Sequence, residues 1–361
     1  MMIGKMSENR LKLTREEIFM KIFSRQKLQF IFILLLLFLV LNPVFAQRTM
    51  NIKLASLAPE NTAWGQAINR MAADWARITN GLLNVTVFHG GTAGDESQVM
   101  ALVRSNQIQA GVFTSMGLNS VVPELMAVSF PFLIRNDDEL DEVLGKVKSD
   151  LNERIQRNGF VNLAWARAGW IKIFTRSPIV TPDDLRRLRL ATGSDDQQMI
   201  QAFRLLSYQI VPANVNELLF SLQSGRADAV YSSPIFVAAN QLFGIASNMS
   251  SINVAPFMGG ILMNEVTWRR IPDRFKPELL EATKRMERDI EASIAGLETE
   301  AISTMVRHGL KINTLTPAQQ QVWFDDTNSY ENRLIGGANP TFNREYYLKV
   351  KDILTEYRRG R

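Results

Sequence analysis

The stretch from Ile179 to Pro234 leaves the chain little choice of architecture. It reads IVTPDDLRRLRLATGSDD and then QQMIQAFRLLSYQIVPANVNELLFSLQSGRADAVYSSP. Thr181 suits an N-cap and Pro182 the first helical position, with Asp183 and Asp184 favourable in the first turn. Arg189 to Thr192 is short enough for a buried strand, and an amphipathic helix and a second strand follow it. Leu218, Leu219 and Leu222 then share one face of another helix, and Gly225 fits the left-handed residue after it. Strand-helix-strand-helix-strand in so short a span means a parallel sheet, which binds ligands at the carboxyl ends of its strands. Small residues fall at those ends: Ala191, Thr192, Gly193 and Ser194 after one strand, Ser232 and Ser233 after another.

The segment that begins near Asn51 repeats this alternation. Asn51 to Leu57 reads as a strand, and Asn61 or Thr62 caps a helix with Trp64, Ile68, Met71, Trp75 and Ile78 at helical spacing. Leu83 to Phe88 is the next strand. Asp95 and Gln98 are spaced as a capping pair for the following helix, and Ala110 to Thr114 is a third strand. The turn from Gly90 to Asp95 lacks the Gly-Lys-Ser/Thr ending of a phosphate loop, so it reads as a tight strand-to-helix turn. Asp137 is placed to cap a long helix closed by Gly159, and Phe160 to Arg167 is a strand leading across to the second half. Met258 to Asn264 is an apolar strand that returns. A long charged helix from Glu278 to His308 carries Leu279, Met286, Ile290 and Ile294, and further helices start at Thr316-Pro317 and at Asn343.

The first 46 residues differ in kind. Phe30 to Leu41 is an almost unbroken apolar run, preceded by Lys21, Arg25 and Lys27 and followed by Val44-Phe45-Ala46. Such a pattern reads as a secretory signal peptide, the alternative being an uncleaved anchor. A start at Met20 would give a leader of ordinary length. Seven of the 41 basic and three of the 36 acidic residues lie in this leader, leaving 34 against 33 in the remainder. Most of the net charge of +5 therefore belongs to the leader, and the charge is no sign of a nucleic-acid surface. The lack of cysteine excludes disulfides, thiol catalysis and zinc-cysteine sites.

Taken together, "TPDDLRRLRL", "VNELLFSLQSGRADAV", "TNGLLNVTVFHGGTAGDESQVMALVRSNQIQAGVFT" and "SFPFLI" resemble the DctP-type substrate-binding proteins of TRAP transporters. The likeness runs from about Asn51 to Asp326. It implies an α/β, two-lobed periplasmic-binding-protein fold of the Venus-flytrap kind. Each lobe would hold a mixed, mostly parallel sheet flanked by helices, with long C-terminal bracing helices. It implies a lobe of residues 47–168 with about 257–300, a second of 169–256 with about 301–330, and a C-terminal helix over 331–361. It further implies a periplasmic protein that delivers a small molecule to TRAP permease membrane subunits, without cofactor, metal or chemistry. The phrases "GDE", "AGVFTSMGL" and "AGWIKIF" are similar to the branch that has a tetratricopeptide-repeat partner. A secreted hydrolase and a solute sensor for a membrane receptor stand as alternatives. Against the hydrolase, His89 and His308 lie far apart, no nucleophile elbow or Walker loop occurs, and the pairs Asp183/Asp184, Asp195/Asp196 and Asp325/Asp326 suit capping and solvation.

Where the chain departs from its family bears on the ligand. In many members an arginine after "DLKGLKI" forks onto a substrate carboxylate. Here that position is Ala191, and Arg189, two residues earlier, stands where the family has a lysine that is not a ligand. A second family arginine falls near Ile171, an asparagine near Leu57, a glutamate near Thr114, a phenylalanine wall at Val215 and an asparagine at Ser233. A carboxylate buried beside such replacements would be unpaired at a cost of several kcal/mol, which implies a largely apolar or non-carboxylate ligand. Trp64, Phe113, Trp165, Trp170 and Phe236 could line its pocket, with core packing the plainer account of each. Ser194 adds a hydroxyl at a strand end. Arg167 is the best remaining cation to reach a ligand, set against a role as an ion-paired crossover arginine.

Overall fold

The computed structural model describes residues 49–194, 196–214, 217–336 and 340–360, so the expected leader lies outside the described residues. The first part alternates as its hydrophobic periods require: β1 (Met50–Ala55), α1 (Ala63–Ile78), β2 (Leu83–Phe88), α2 (Glu96–Arg104) and β3 (Ala110–Thr114). Thr62 caps α1, and Asp95 with Gln98 forms the full capping box of α2. After the short α3 (Ser115–Asn119), Asn136 rather than Asp137 caps α4 (Asp137–Arg157). Asp137, Asp138 and Glu139 instead occupy its first turn, where carboxylates meet the positive end of the helix.

The strand expected over Phe160 to Arg167 is β4 (Phe160–Thr175), which runs on for eight more residues. Its buried second half shows no inside-outside alternation, and Ala168-Gly169 interrupts it, which is why the sequence stops the strand early. Next come α5 (Pro182–Arg186), β5 (Arg189–Gly193), α6 (Gln197–Leu205), β6 (Gln209–Ala213), α7 (Leu218–Gln223), β7 (Ala229–Ser232) and α8 (Pro234–Ala239). The chain returns through β8 (Asn248–Ser250) and β9 (Ala255–Asn264) to α9 (Glu265–Arg270) and α10 (Lys276–Arg307). It ends with β10 (Lys311–Asn313), α11 (Pro317–Ser329), α12 (Glu331–Ile335) and α13 (Arg344–Arg359).

These strands form one mixed sheet in the order β2-β1-β3-β9-β4-β7-β5-β6, with β8 beside β4 and β10 beside β8. Parallel pairs β1–β2 and β1–β3 make one wing, and β5–β6 and β5–β7 the other. Antiparallel β9 and β4 lie between them. At 32 residues α10 is about 48 Å long, enough to pass both wings. Its Leu279, Met286, Ile290 and Ile294 pack with Trp75 of α1, while Met305 joins Ala191 and Val230 in the core of the far wing. Among the described residues no helix is long and apolar enough to cross a membrane.

The last helix closes the first wing. Tyr346, Tyr347, Val350 and Leu354 share a core with Val143 and Val147 of α4, and Phe130 sits 4.6 Å from the Phe342 ring and 4.5 Å from that of Tyr347. Arg358 fixes the end of α13. Its Nε donates to Glu139 Oε1 at 2.8 Å and its Nη2 to Glu139 Oε2 and the Leu133 carbonyl, each at 2.7 Å. The Glu139 side chain is only 7% exposed, so losing its partner strands a charge in the interior. Arg358→Ala should therefore lower stability by about 2 kcal/mol, read from the urea midpoint, with Arg358→Lys recovering part of it.

Candidate functional site

The pairing registers bring the carboxyl ends of both wings to one place. Thr114, at the end of β3, lies opposite Gly259, and Ser232, at the end of β7, lies opposite Lys172. The β4–β9 ladder in turn sets Gly259 beside Ala166 and Ala255 beside Ile171. Both strand ends thus flank the few residues over which β4 crosses between the wings. β1 ends next to β3, bringing Leu57 to the same region, and β5 ends next to β7, bringing Ser194. Leu57, Thr114, Ile171, Ser194 and Ser233 accordingly gather around the crossover, Leu57 being 45% exposed. Val215 lies outside the described residues.

Hydroxyls and amides dominate this region. The Ser115 hydroxyl donates to the Met258 carbonyl at 2.9 Å, and that of Ser194 to Asn214 Oδ1 at 2.6 Å. Ser233 caps α8 by accepting from the Phe236 amide. Thr114 is held from below: its amide and hydroxyl donate to Glu96 at 2.8 and 3.0 Å, and the Gly117 amide reaches the same carboxylate at 2.9 Å. Glu96 is only 6% exposed although it begins a helix. Sequence reasoning passed over it as part of the turn, because a carboxylate in a first helical turn ordinarily faces water. Tyr231, also passed over, lies one residue before Ser232 with its ring edge-on to Phe203. Burial, with Asp196 adding to it, pushes its phenol well above the ordinary value and keeps the hydroxyl protonated.

The aromatic candidates are placed differently. Phe113, Trp165 and Trp170 are buried in the main core, and the Trp170 indole donates to Asp137 Oδ1 at 3.1 Å. The Phe113 ring lies against Gly111 and Gly117, where a Cβ on either would overlap it. Phe236 is half-buried against the core of the far wing. Trp64 instead lines a cavity of about 200 Å³ between α1 and α10, with Ile290 and Ile294.

No arginine described here is left free at the strand ends. Ala191 is 0% exposed in the apolar core of the far wing, which has no room for a guanidinium. Arg189 lies at the opposite, amino end of β5, where its Nε and Nη2 fork onto Asp228 at 2.8 and 2.9 Å. Arg167 is ion-paired with Asp141 of α4 and lies 3.6 Å from Glu291 of α10. At least one member of each acidic pair is likewise engaged: Asp184 closes the capping box of α5, Asp326 binds Arg186, and Asp196 caps α6, while Asp195 lies outside the described residues. Among the described residues no group of three or more His, Cys, Asp or Glu could hold a metal ion.

Two wings whose strand ends meet at a shared pair of crossing strands define a two-lobed binding protein. Residues 54–334 match the DctP family, described as bacterial extracellular solute-binding protein, family 7, and the chain belongs to that family. It is 23% identical over 238 residues to the 2,3-diketo-L-gulonate-binding periplasmic protein YiaO of Escherichia coli, covering 65% of this chain and 72% of that one. The fold is shared with a sugar acid binding protein from Advenella mimigardefordensis in complex with galactonate, at TM-score 0.75 and 16% identity, over 86% of this chain and 99% of that one. It is shared too with a TRAP periplasmic solute binding protein from Pseudomonas putida with bound D-glucuronate, at TM-score 0.73 and 17% identity, over 85% and 96%.

The Arg189–Asp228 fork makes a pH expectation. Its hydrogen bonds hold the Asp228 carboxyl below the ordinary value, so folded Asp228 loses its charge at lower pH than unfolded Asp228. The pair then adds stability that is fully present above the unfolded value and is lost as pH falls through the folded one. Asp228→Asn should flatten that part of the acid limb in urea midpoints taken across about pH 2 to 5. Arg189→Ala should do the same and leave ligand affinity at neutral pH unchanged; lost affinity would place Arg189 in the site.

Proposed function

We propose that this protein, exported to the periplasm with its first 46 residues removed, captures a small hydroxylated organic acid and passes it unchanged to TRAP permease membrane subunits. In this reading the two lobes are taken as residues 47–168 with about 257–300 and 169–256 with about 301–330. Closure would bring Leu57 and Thr114 toward Ile171, Ser194 and Ser233. The observation that carries the ligand class is the set of hydroxyl and amide groups at the meeting strand ends: Thr114, Ser115, Ser194, Asn214, Ser232 and Ser233. They match the hydroxyls of a sugar acid, the kind of ligand carried by the similar proteins, and they weigh against the largely apolar ligand expected from Ala191 and Ile171. Hydroxyls and backbone amides would hold the carboxylate in place of a forked arginine. A tetratricopeptide-repeat partner, suggested by sequence flavour alone, has no further support.

One observation favours a second reading. Ala191 is enclosed by apolar side chains and both Arg167 and Arg189 are engaged elsewhere, which suits a neutral polyol better than an acid. Thermal-shift titrations separate the two. D-glucuronate and galactonate should raise the melting temperature saturably and be recovered intact, while glucose and galactose should not. The reverse pattern would establish the neutral-ligand reading. Stabilisation by apolar compounds alone would overturn both, and turnover of any bound compound would return the hydrolase.

A further inference from the structure

The β4–β9 ladder is irregular at two places, a one-residue shift between Asn162 and Ala164 and a wider break between Arg167 and Trp170. Phe160 to Arg167 pair with Met258 to Asn264, the register shifts between Arg167 and Trp170, and only Trp170 and Ile171 pair again, with Pro256 and Ala255. From Lys172 onward β4 pairs with β7 of the other wing. Ala168 and Gly169 therefore sit where one wing ends and the other begins, free of the β9 ladder. Gly169 has φ +88°, a region that side chains rarely adopt, so a rotation of the wings can be taken up there at little steric cost.

Helix α10 reaches over this break. A Cβ on Gly169 would overlap the Glu298 carboxylate, which therefore packs directly on the crossover backbone, and the nearby Trp170 amide favours its charged form. Glu298 also faces Lys172, whose buried ammonium donates to the Ser251 carbonyl at 3.1 Å and to Asn253 Oδ1 at 2.8 Å. Asn253 in turn donates to the Arg135 carbonyl at 3.0 Å, on the segment leading into α4. One carboxylate thus packs on the crossover backbone, within electrostatic range of Lys172, from which a chain of polar contacts runs to the other wing. Seven residues earlier on the same face of α10, Glu291 lies near Arg167, and four residues before that Glu287 meets Lys148 of α4 at 3.4 Å.

We infer that Glu298 is a positioning residue for capture: by packing against Gly169 at the crossover while attracting the Lys172 ammonium, it restricts the swing of the two wings. The inference rests on the proposed role in ligand capture, but the restriction itself is a property of the chain alone. Rotation at Ala168-Gly169 would carry the Trp170 amide and the Lys172 ammonium away from a carboxylate that is fixed on a helix spanning both wings. Removing the carboxylate removes the restriction and leaves the hinge backbone intact.

The absence of native cysteine makes the test direct. Spin labels on Arg70→Cys in α1 and Gln201→Cys in α6, both exposed, report the distance between the wings by pulsed electron resonance without any ligand. Glu298→Ala should broaden that distance distribution about twofold. Glu298→Gln keeps an acceptor for the Trp170 amide but no charge for Lys172, and should fall between. Melting temperatures should stay within about 5 °C of the parent, which separates loosening of the hinge from loss of fold. Unchanged distributions in both variants would overturn the inference. Broadening in a protein that binds no sugar acid would uphold it while removing the proposed ligand class.

Discussion

The antiparallel ladder between β4 and β9 is the interaction on which the rest of the molecule depends. A parallel wing such as β2-β1-β3 can grow outward only by helical crossovers, and its own edge would be an exposed row of amides and carbonyls. Here β9 covers that edge along β3, β4 covers β9, and β7 then extends the sheet from β4. Two strands thereby satisfy the backbone of both wings while leaving the carboxyl ends of the parallel strands directed at a common space. The site is a by-product of that topology, and the side chains at the strand ends only determine what it can hold.

Charge is used in an unusual way around this frame. Guanidinium and ammonium groups near the crossover face structural acids: Arg167 faces Asp141 and Glu291, and Lys172 faces Glu298. Burial lowers the tendency of Lys172 to stay charged, and Glu298 offsets this in part. The same burial raises the Glu298 carboxyl, with Lys172 acting against it. Each group alone would be an unfavourable interior charge, whereas the attraction between them favours one geometry of the crossover. The proposed ligand carboxylate would then meet dipolar donors at the strand ends, with weaker but more adjustable attraction than a fork of nitrogen donors would supply.

Much of the fold could be read from local chemistry because local chemistry decided it. Thr181-Pro182, Asp95 with Gln98, and Thr316 with Gln319 are capping arrangements whose atoms lie within a few residues of one another, and all three form as their spacing requires. The second half of β4 was not legible, since a strand buried on both faces has no alternation to display. Asn136 was passed over as a cap because an aspartate stands directly after it. The site was much less legible than the fold. Ala191 reads in the sequence as a residue at the carboxyl end of its strand, but it is the middle residue of β5, and its burial among Phe174, Val230 and Leu222 is a tertiary fact. Glu96 and Glu298 were invisible for the same reason: what matters in each is a partner eighteen residues away in one case and well over a hundred in the other.

The position of α13 has a consequence for the order in which the chain can fold. Phe342, Tyr346, Tyr347, Val350 and Leu354 complete the same core as Phe130 and the inward face of α4, yet they follow it far along the chain. The first wing, although its strands precede the second wing, lacks its closing layer until α13 has been made. Its core would expose Phe130, Val143 and Val147 until then, so a stable intermediate of the N-terminal wing is disfavoured. This arrangement delays commitment of the first wing to its native state until α13 is present.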